Sequence, residues 1–137
     1  MNAVDTNVLI YVHDPRDRRK QEIASDLVEN LADGMLVWQT VCEFLSASRK
    51  LAPLGYDFDQ AFDDIRTLMT QWTTALPSWH VLERAMSLLK RYSLAYWDSL
   101  LIAACLEAAV ETLYSENFSG YDEIDGLKIV NPFATIV

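Results

Sequence analysis

Short apolar runs alternate along the chain with longer segments in which apolar residues recur at helical spacing. The short runs predict β-strands at residues 3–4, 35–38, 72–76, 112–115 and 127–130. The longer segments predict helices at residues 8–12, 17–31, 40–51, 57–70, 79–92 and 96–109. Because short strands and helices alternate throughout, the pattern indicates an α/β fold in which helices cover both faces of a short-stranded, mainly parallel sheet.

The same pattern predicts details of several segments. The helix at 57–70 is expected to bury an apolar stripe made of Phe58, Phe62, Ile65 and Met69. Segment 96–109 is apolar nearly all round, so this helix should be central and buried. Cys42 and Cys105 are interpreted as small buried hydrophobic residues. Gly34 is expected to close the helix at 17–31, and the polar segment 116–126 to form a loop.

Three carboxylates fall where a predicted strand passes into a helix or in the first turn of a helix, namely Asp5, Glu43 and Asp98. Each has a purely structural interpretation. Asp5 suits the N-cap of the helix that follows it. Glu43 matches a capping box opened by Thr40, and Asp98 would be stabilised in a first helical turn by the helix dipole. For each acid taken singly, the structural and the functional interpretations both stay open.

The positions of the three acids together favour a shared role. In a parallel α/β sheet the carboxyl ends of the strands meet at one edge, where ligands bind. Carboxylates meeting there repel one another unless a divalent cation lies between them, and hard oxygen ligands suit Mg²⁺ or Mn²⁺. Glu116 and Asn117 follow a further strand and offer side-chain oxygens, although a simple turn explains them too. His13 and His80 form no zinc-binding pattern.

The composition narrows the class of protein. The 137 residues are 51% hydrophobic and 23% charged, so we expect one globular domain. A net charge of −9 argues against a protein that coats duplex nucleic acid by bulk electrostatics. It leaves room for an enzyme that reaches phosphate through bound metal and a local basic patch. Such a patch, or simply a solvated helix surface, is formed by Arg16, Arg18, Arg19 and Lys20.

The location of the protein is predicted from features that the sequence lacks. No apolar run approaches the length of a membrane span. No basic region precedes the first apolar run, as it would in a signal peptide, and two cysteines make no disulfide framework. We therefore expect a cytoplasmic protein with no membrane partner.

Five segments together resemble PIN-domain ribonucleases, and among them the VapC-type toxins of toxin–antitoxin pairs. They are VDTNVLIY at residues 4–11, TVCEF at 40–44, YWDSLLIAA at 96–104, LYSENF at 113–118 and DGLKIVNPF at 125–133. Any one of them is a weak signal, but their order and spacing extend over nearly the whole chain. The resemblance implies a single PIN domain at 1–137, with a Rossmann-like three-layer fold and acids clustered at the carboxyl edge of its sheet.

The resemblance also implies an activity and partners. It implies a metal-dependent endoribonuclease that uses Mg²⁺ or Mn²⁺ to hydrolyse RNA phosphodiester bonds, is inhibited by a cognate antitoxin and forms a homodimer. Asp5, Glu43 and Asp98 match three of the family's metal-binding catalytic acids, and Thr6 matches the hydroxyl residue beside the first. The supporting residues expected near them are Asn7, Ser115 and Glu116.

One position departs from the family pattern. The fourth acid is usually an Asp in a Ser/Thr-Glu-Asp motif, and Asn117 stands in its place. The amide oxygen of Asn117 can still offer itself to a metal or hold a metal-bound water, or Glu116, Asp122 or Asp125 substitutes for the missing acid. With one negative charge fewer, the binding of a second metal should be weaker.

Two other functions compete with the ribonuclease. A PIN scaffold with a degraded metal site would act as an RNA- or protein-binding module, which Asn117 favours and the three retained acids oppose. A phosphatase with an aspartyl nucleophile also begins with a strand that ends in Asp. That chemistry requires a second Asp two residues later, where this chain has Asn7.

Overall fold

The computed structural model describes residues 1–134. Its single sheet contains six strands: β1 (Asn2–Val4), β2 (Gly34–Val37), β3 (Thr73–Ala75), β4 (Thr112–Tyr114), β5 (Glu123–Ile124) and β6 (Leu127–Val130). The helices are α1 (Thr6–Val12), α2 (Arg18–Asn30), α3 (Trp38–Ser48), α4 (Phe58–Gln71), α5 (Trp79–Arg91) and α6 (Tyr96–Glu107). A 3₁₀ helix, Arg49–Leu54, extends α3. No helix in this part of the chain is long and apolar enough to cross a membrane.

The strand order in the sheet is β3-β2-β1-β4-β6-β5. All neighbours are parallel except β5 and β6, which form an antiparallel hairpin. The first strand of the chain therefore lies in the middle, with Ala3 opposite Met35 on one side and Leu113 on the other. This register brings the residues that follow β1, β2 and β4 to the same edge of the sheet, as the sequence predicts.

The core is divided between the two faces of the sheet, because successive strand residues point to opposite sides. Ala3 and Leu113 pack with the buried residues of α5 and α6, such as Leu88 and Ile102. Val4, on the other side, packs with the buried residues of α1, α3 and α4. The predicted three-layer α/β architecture is confirmed, and α6 buries five of its residues: Ser99, Leu101, Ile102, Ala103 and Cys105.

Two helices begin earlier than predicted. Helix α1 begins at Thr6, not at residue 8, because Asp5 is its N-cap and accepts a hydrogen bond from the Thr6 main-chain N–H. Helix α3 begins at Trp38, which the apolar run had placed in a strand. A short apolar run does not distinguish the end of a strand from the start of a helix. Thr40 therefore lies inside α3, and does not open it.

The buried face of α4 also differs from the prediction. Ile65 is buried as predicted, but Phe58, Phe62 and Met69 are exposed, and the other buried residue is Ala61. Both faces have helical spacing, and the smaller Ala61 side chain allows α4 to pack closely. Cys42 is exposed too, because it lies on the outer side of α3, whereas Cys105 is buried as predicted.

Two turns were wrongly interpreted. Gly34 does not close a helix, since it begins β2, and a Cβ there would lie 2.5 Å from the Trp72 ring. The predicted loop 116–126 contains β5, which pairs with β6 through a turn at Asp125 and Gly126. Both turn residues have positive φ, of 49° and 91°. That conformation is typical of the Asp-Gly hairpin turn, so the sequence did hold a signal for this hairpin.

Candidate active site

Asp5 lies at the carboxyl end of the central strand and is buried. Its Oδ1 accepts a hydrogen bond from the Thr6 main-chain N–H at 2.7 Å, and its Oδ2 accepts one from the Ser115 hydroxyl at 2.8 Å. Burial raises the pKa of the Asp5 carboxyl, and the negative charges of Glu43 and Asp98 raise it further, against the lowering effect of the two hydrogen bonds. The N-cap interpretation of Asp5 is confirmed, and the same carboxylate also lies within electrostatic reach of the other two acids.

Ser115 connects Asp5 to the segment that follows β4. Its buried hydroxyl donates to Asp5, and it accepts hydrogen bonds from the Asn7 side-chain amide at 3.4 Å and the Asn117 main-chain N–H at 3.1 Å. The Oδ1 atom of Asn7 is buried and has no hydrogen-bond partner within residues 1–134. A buried acceptor without a donor is costly, so this position suits a water or other ligand absent from the chain itself.

Glu43 is half-buried on α3, and both of its carboxylate oxygens accept hydrogen bonds. The Gln39 side-chain amide donates to Oε1 at 2.6 Å, and the Thr6 hydroxyl donates to Oε2 at 3.3 Å. The predicted capping box is wrong. The N-cap of α3 is Val37, with no side-chain capping hydrogen bond, and the buried Thr40 hydroxyl has no partner in the described part of the chain.

Asp98 is half-buried in the first turn of α6, whose N-cap is Ala95 with no side-chain capping hydrogen bond. Burial raises the pKa of the Asp98 carboxyl, and the negative charge of Glu43 adds to the effect. The helix-dipole interpretation of its position agrees with the structure. The negative charge of Glu43 raises the pKa of both Asp5 and Asp98, and the negative charge of Asp98 also raises the pKa of Asp5.

The fit of a divalent cation depends on how many ligands the chain must provide. In residues 1–134, no group of three or more His, Cys, Asp or Glu side chains is arranged so that it could hold a metal ion by itself. Mg²⁺ does not require such a cage, because it usually keeps several waters and takes one or two carboxylates. The donor set of Asp5, Glu43 and Asp98, with the partnerless acceptor of Asn7 nearby, consists of hard oxygens and fits Mg²⁺ or Mn²⁺.

The segment after β4 presents Glu116 and Asn117. Asn117 is exposed, and its main chain is anchored to Ser115. Glu116 accepts hydrogen bonds from the Tyr11 hydroxyl at 2.6 Å and from the Lys20 ammonium at 2.9 Å. Its charge is therefore already neutralised by a cation of the chain.

Asp125, another predicted substitute for the fourth acid, is also compensated. Its two oxygens accept hydrogen bonds from the Arg91 guanidinium at 2.6 and 2.8 Å, in the turn between β5 and β6. The main-chain carbonyl of Asp122 accepts a hydrogen bond from Ile129 within the same hairpin region.

The contacts that three residues make with Glu43 and Glu116 were not predicted. Gln39 contacts Glu43, and its position four residues earlier on the same helix was a usable signal. Tyr11 and Lys20 contact Glu116 across 105 and 96 residues of sequence. No local pattern predicts contacts between segments so far apart.

Solved structures share this fold. A toxin–antitoxin complex from Klebsiella pneumoniae has 21% identity, covering 98% of this chain and 100% of that chain, with a TM-score of 0.71. The sarcin-ricin loop cleaving toxin VapC20 of Mycobacterium tuberculosis has 17% identity, with coverage of 88% and 91% and a TM-score of 0.66. VapBC-1 from nontypeable Haemophilus influenzae has 17% identity, with coverage of 96% and 97% and a TM-score of 0.63.

The family is established by sequence. No curated protein sequence matches the chain significantly, and the identities to the solved structures are low enough that those structures show a common fold alone. The model of the PIN domain, however, matches residues 3–126. This match includes Asp5 after the first strand, the helix carrying Glu43, the first turn of α6 with Asp98 and the segment containing Asn117. The chain belongs to the PIN domain family.

Proposed function

We propose that this protein is a metal-dependent endoribonuclease and the toxin of a type II toxin–antitoxin system. The observation that carries the proposal is the meeting of Asp5, Glu43 and Asp98 at the carboxyl edge of the sheet, where each lies within electrostatic reach of another. Membership of the PIN domain family supports the nuclease activity. The common fold with proteins described as toxins and toxin–antitoxin complexes supports the biological role.

The proposed roles of the acids follow from their surroundings. Asp5, Asp98 and Glu43 would hold Mg²⁺ or Mn²⁺, which supplies Lewis acidity and lowers the pKa of coordinated water. Ser115 and the Thr6 main chain orient the two oxygens of Asp5. Glu43, held at both of its oxygens, has a fixed orientation in which to accept hydrogen bonds from the attacking water. Hydrolysis would then form a bond from the water oxygen to phosphorus, with one water proton passing to Glu43, and break the bond to the leaving ribose oxygen, which takes up a proton from solvent.

Asn117 stands where a fourth acid is expected, and we propose that its amide oxygen is a neutral ligand or positions a bound water. Glu116 is a poor substitute because Lys20 already pairs with it at 2.9 Å. Asp125 is a poor substitute because Arg91 pairs with it at 2.6 Å. The site therefore has three uncompensated acids, which favours one tightly bound ion over two.

An apolar groove beside the acids supports a protein partner. It has a volume of about 840 Å³, and it is lined by Glu43 and by Trp97, the residue before Asp98. Its other large apolar residues include Trp38, Leu76 and Leu82, which are exposed. Exposed apolar patches of this kind are typical of interaction surfaces, so a cognate antitoxin and a second copy of the chain are the proposed partners.

The second candidate function is a catalytically weakened PIN scaffold that binds RNA or protein. The observation that favours it is Asn117, together with the lack of a closed cluster of metal-binding side chains in residues 1–134. In this case RNA binding would persist without cleavage.

One experiment separates the two candidates. The purified protein is incubated with an end-labelled structured RNA in Mg²⁺, in Mn²⁺ or in EDTA, with Glu43→Gln prepared in parallel to control for contaminating nucleases. The ribonuclease proposal expects discrete products that require metal and are lost in the variant. RNA that is bound but left intact under all conditions would favour the scaffold instead.

A further inference from the structure

Gln39 contacts two of the three elements that carry the acids, and it does so through a single amide group. Its Nε2 donates hydrogen bonds to Glu43 Oε1 at 2.6 Å and to the main-chain carbonyl of Trp97 at 3.1 Å. Gln39 lies one turn before Glu43 on α3, and Trp97 immediately precedes Asp98 in the first turn of α6. One side chain therefore connects the helix that carries Glu43 to the turn that carries Asp98.

The contact at Gln39 is one end of a continuous chain of hydrogen bonds. The other oxygen of Glu43 accepts from the Thr6 hydroxyl at 3.3 Å, and the Thr6 main-chain N–H donates to Asp5 at 2.7 Å. All three elements that carry the acids are linked by this chain. Gln39 provides the link between α3, which carries Glu43, and the first turn of α6, which carries Asp98.

The free end of the Gln39 amide shows that this arrangement has a cost. Its Oε1 is buried and has no hydrogen-bond partner in residues 1–134. A buried acceptor without a partner lowers the stability of the fold, and an apolar side chain of the same length would avoid this. Such a side chain would also free the Glu43 carboxylate to turn away from Asp5 and Asp98, whose negative charges repel it.

We propose that Gln39 is a positioning residue, which holds the Glu43 carboxylate at a fixed place relative to the turn that carries Asp98. This inference rests on the proposed metal-dependent cleavage, since it assigns Gln39 a role in arranging the same acids. A side chain that only tied α3 to α6 would affect stability and leave the metal affinity and kcat unchanged.

The test replaces Gln39 with Met, which has the same length and no donor, and uses Gln21→Met as the matched control. Gln21 is also half-buried and also donates to a main-chain carbonyl, that of Val12 at 3.2 Å. For Gln39→Met we expect kcat for RNA cleavage to fall about 10- to 100-fold with KM unchanged. Mn²⁺ affinity, measured by calorimetry, should fall as well. Gln21→Met should match the wild type in both measurements.

A double-mutant cycle shows whether Gln39 acts through Glu43. In a Glu43→Ala background, adding Gln39→Met should cause no further loss of kcat or Mn²⁺ affinity. If Gln39→Met does not fold, Gln39→Asn serves in its place, because it keeps the amide but is too short to reach both acceptors. Equal losses with and without Glu43, or wild-type kcat and Mn²⁺ affinity in Gln39→Met, would overturn the inference.

The metal titration keeps the two proposals separable. If the wild type binds Mn²⁺ but cleaves no RNA, the proposed ribonuclease function fails. The Mn²⁺ affinities of Gln39→Met and Gln21→Met then decide the role of Gln39 by themselves. If cleavage is observed but Gln39→Met matches its control, the ribonuclease stands and the positioning role fails.

Discussion

Asp5 and Asp125 are both carboxylates that follow a strand of the same sheet, but their surroundings have opposite effects on them. Asp125 accepts hydrogen bonds from the Arg91 guanidinium and from the Tyr92 hydroxyl. The guanidinium holds the pKa of the Asp125 carboxyl down to about 2. Within residues 1–134, Asp5 accepts hydrogen bonds only from neutral groups, those of Ser115 and Thr6, and its burial raises its pKa.

The difference is the one expected between an acid that stabilises the fold and an acid that is available to bind a cation. A carboxylate paired with a cation of its own chain is satisfied, and it has little left to offer a metal ion. A buried carboxylate among like charges destabilises the fold until a cation arrives from outside. In residues 1–134 no Lys or Arg forms an ion pair with Asp5, Glu43 or Asp98. The pKa values of Asp5 and Asp98 are raised, and carboxylates perturbed in this way without a cationic partner are typical of functional sites.

The largest expected effect comes from removing one uncompensated charge. Asp98→Asn should lower the rate of RNA cleavage by about 10³-fold or more, because the proposed function makes Asp98 a ligand of the catalytic metal. Its metal-free melting temperature should stay the same or rise, since the repulsion from Glu43 is relieved. Asp125→Asn is the control for the same chemical change and should cleave RNA at the wild-type rate. Comparable losses in the two variants would remove the distinction between the two kinds of acid.

The next largest effect is expected at position 117, where Asn stands in place of the family's fourth acid. Asn117→Asp should strengthen Mn²⁺ binding and raise cleavage, because it adds a charged oxygen to a site with three uncompensated acids. It should also lower the metal-free melting temperature, since another negative charge joins the others. Asn117→Ala should weaken Mn²⁺ binding if the amide oxygen is a ligand. Calorimetric titration of the three proteins measures this, and identical affinities would place residue 117 outside the site.

A smaller effect is expected on the stability of the wild type. Mn²⁺ at about 100 times its dissociation constant should stabilise the native state by about 2.7 kcal/mol, because it binds only the folded acids. Asp5→Asn should reduce this stabilisation, whereas Asp125→Asn should leave it unchanged. Thermal scans with Mn²⁺ and with EDTA measure the shift. The shared site is contradicted if Asp5→Asn responds to Mn²⁺ as the wild type does.

The sequence predicted the fold well where periodicity and strand order determine it, and less well where packing chooses between equivalent faces. The alternation of short apolar runs and helical segments was sufficient for the parallel sheet. It was not sufficient for α4, because Ile65 has helical spacing both with Phe58 and Phe62, as predicted, and with Ala61, which is the residue buried beside it. The Asp-Gly pair at 125–126 predicts the hairpin turn, but the polar residues around it predict a loop over 116–126, which is wrong for β5.

The candidate site was predictable to the extent that it depends on strand ends. Asp5 and Ser115 follow parallel neighbours, so their meeting follows from topology. The compensation of Glu116 by Lys20 did not follow, because it depends on how α2 packs beside the sheet. The capping-box prediction for Glu43 failed for a local reason, since the helix begins two residues before Thr40.

The smallest expected effect is that of Asp125→Asn on the melting temperature, and it depends on pH. The pKa of the Asp125 carboxyl is lowered from 3.8 to about 2, so the folded state favours its charged form. This contribution to the free energy of unfolding is present above pH 3.8 and is lost as the pH falls through about 2. At neutral pH, Asp125→Asn should therefore lower the melting temperature, by about 1–4 °C because the ion pair is partly exposed.

The difference between Asp125→Asn and the wild type should disappear as the pH falls below about 2, since the wild-type carboxyl is then protonated. Asp5 behaves in the opposite way, because its pKa is raised: its charge destabilises the metal-free fold as the pH rises above 3.8. In EDTA, the melting temperature of Asp5→Asn should gain on that of the wild type over this range. Parallel changes in both variants, in thermal scans from acid to neutral pH, would show that the two carboxylates do not differ in their electrostatic surroundings.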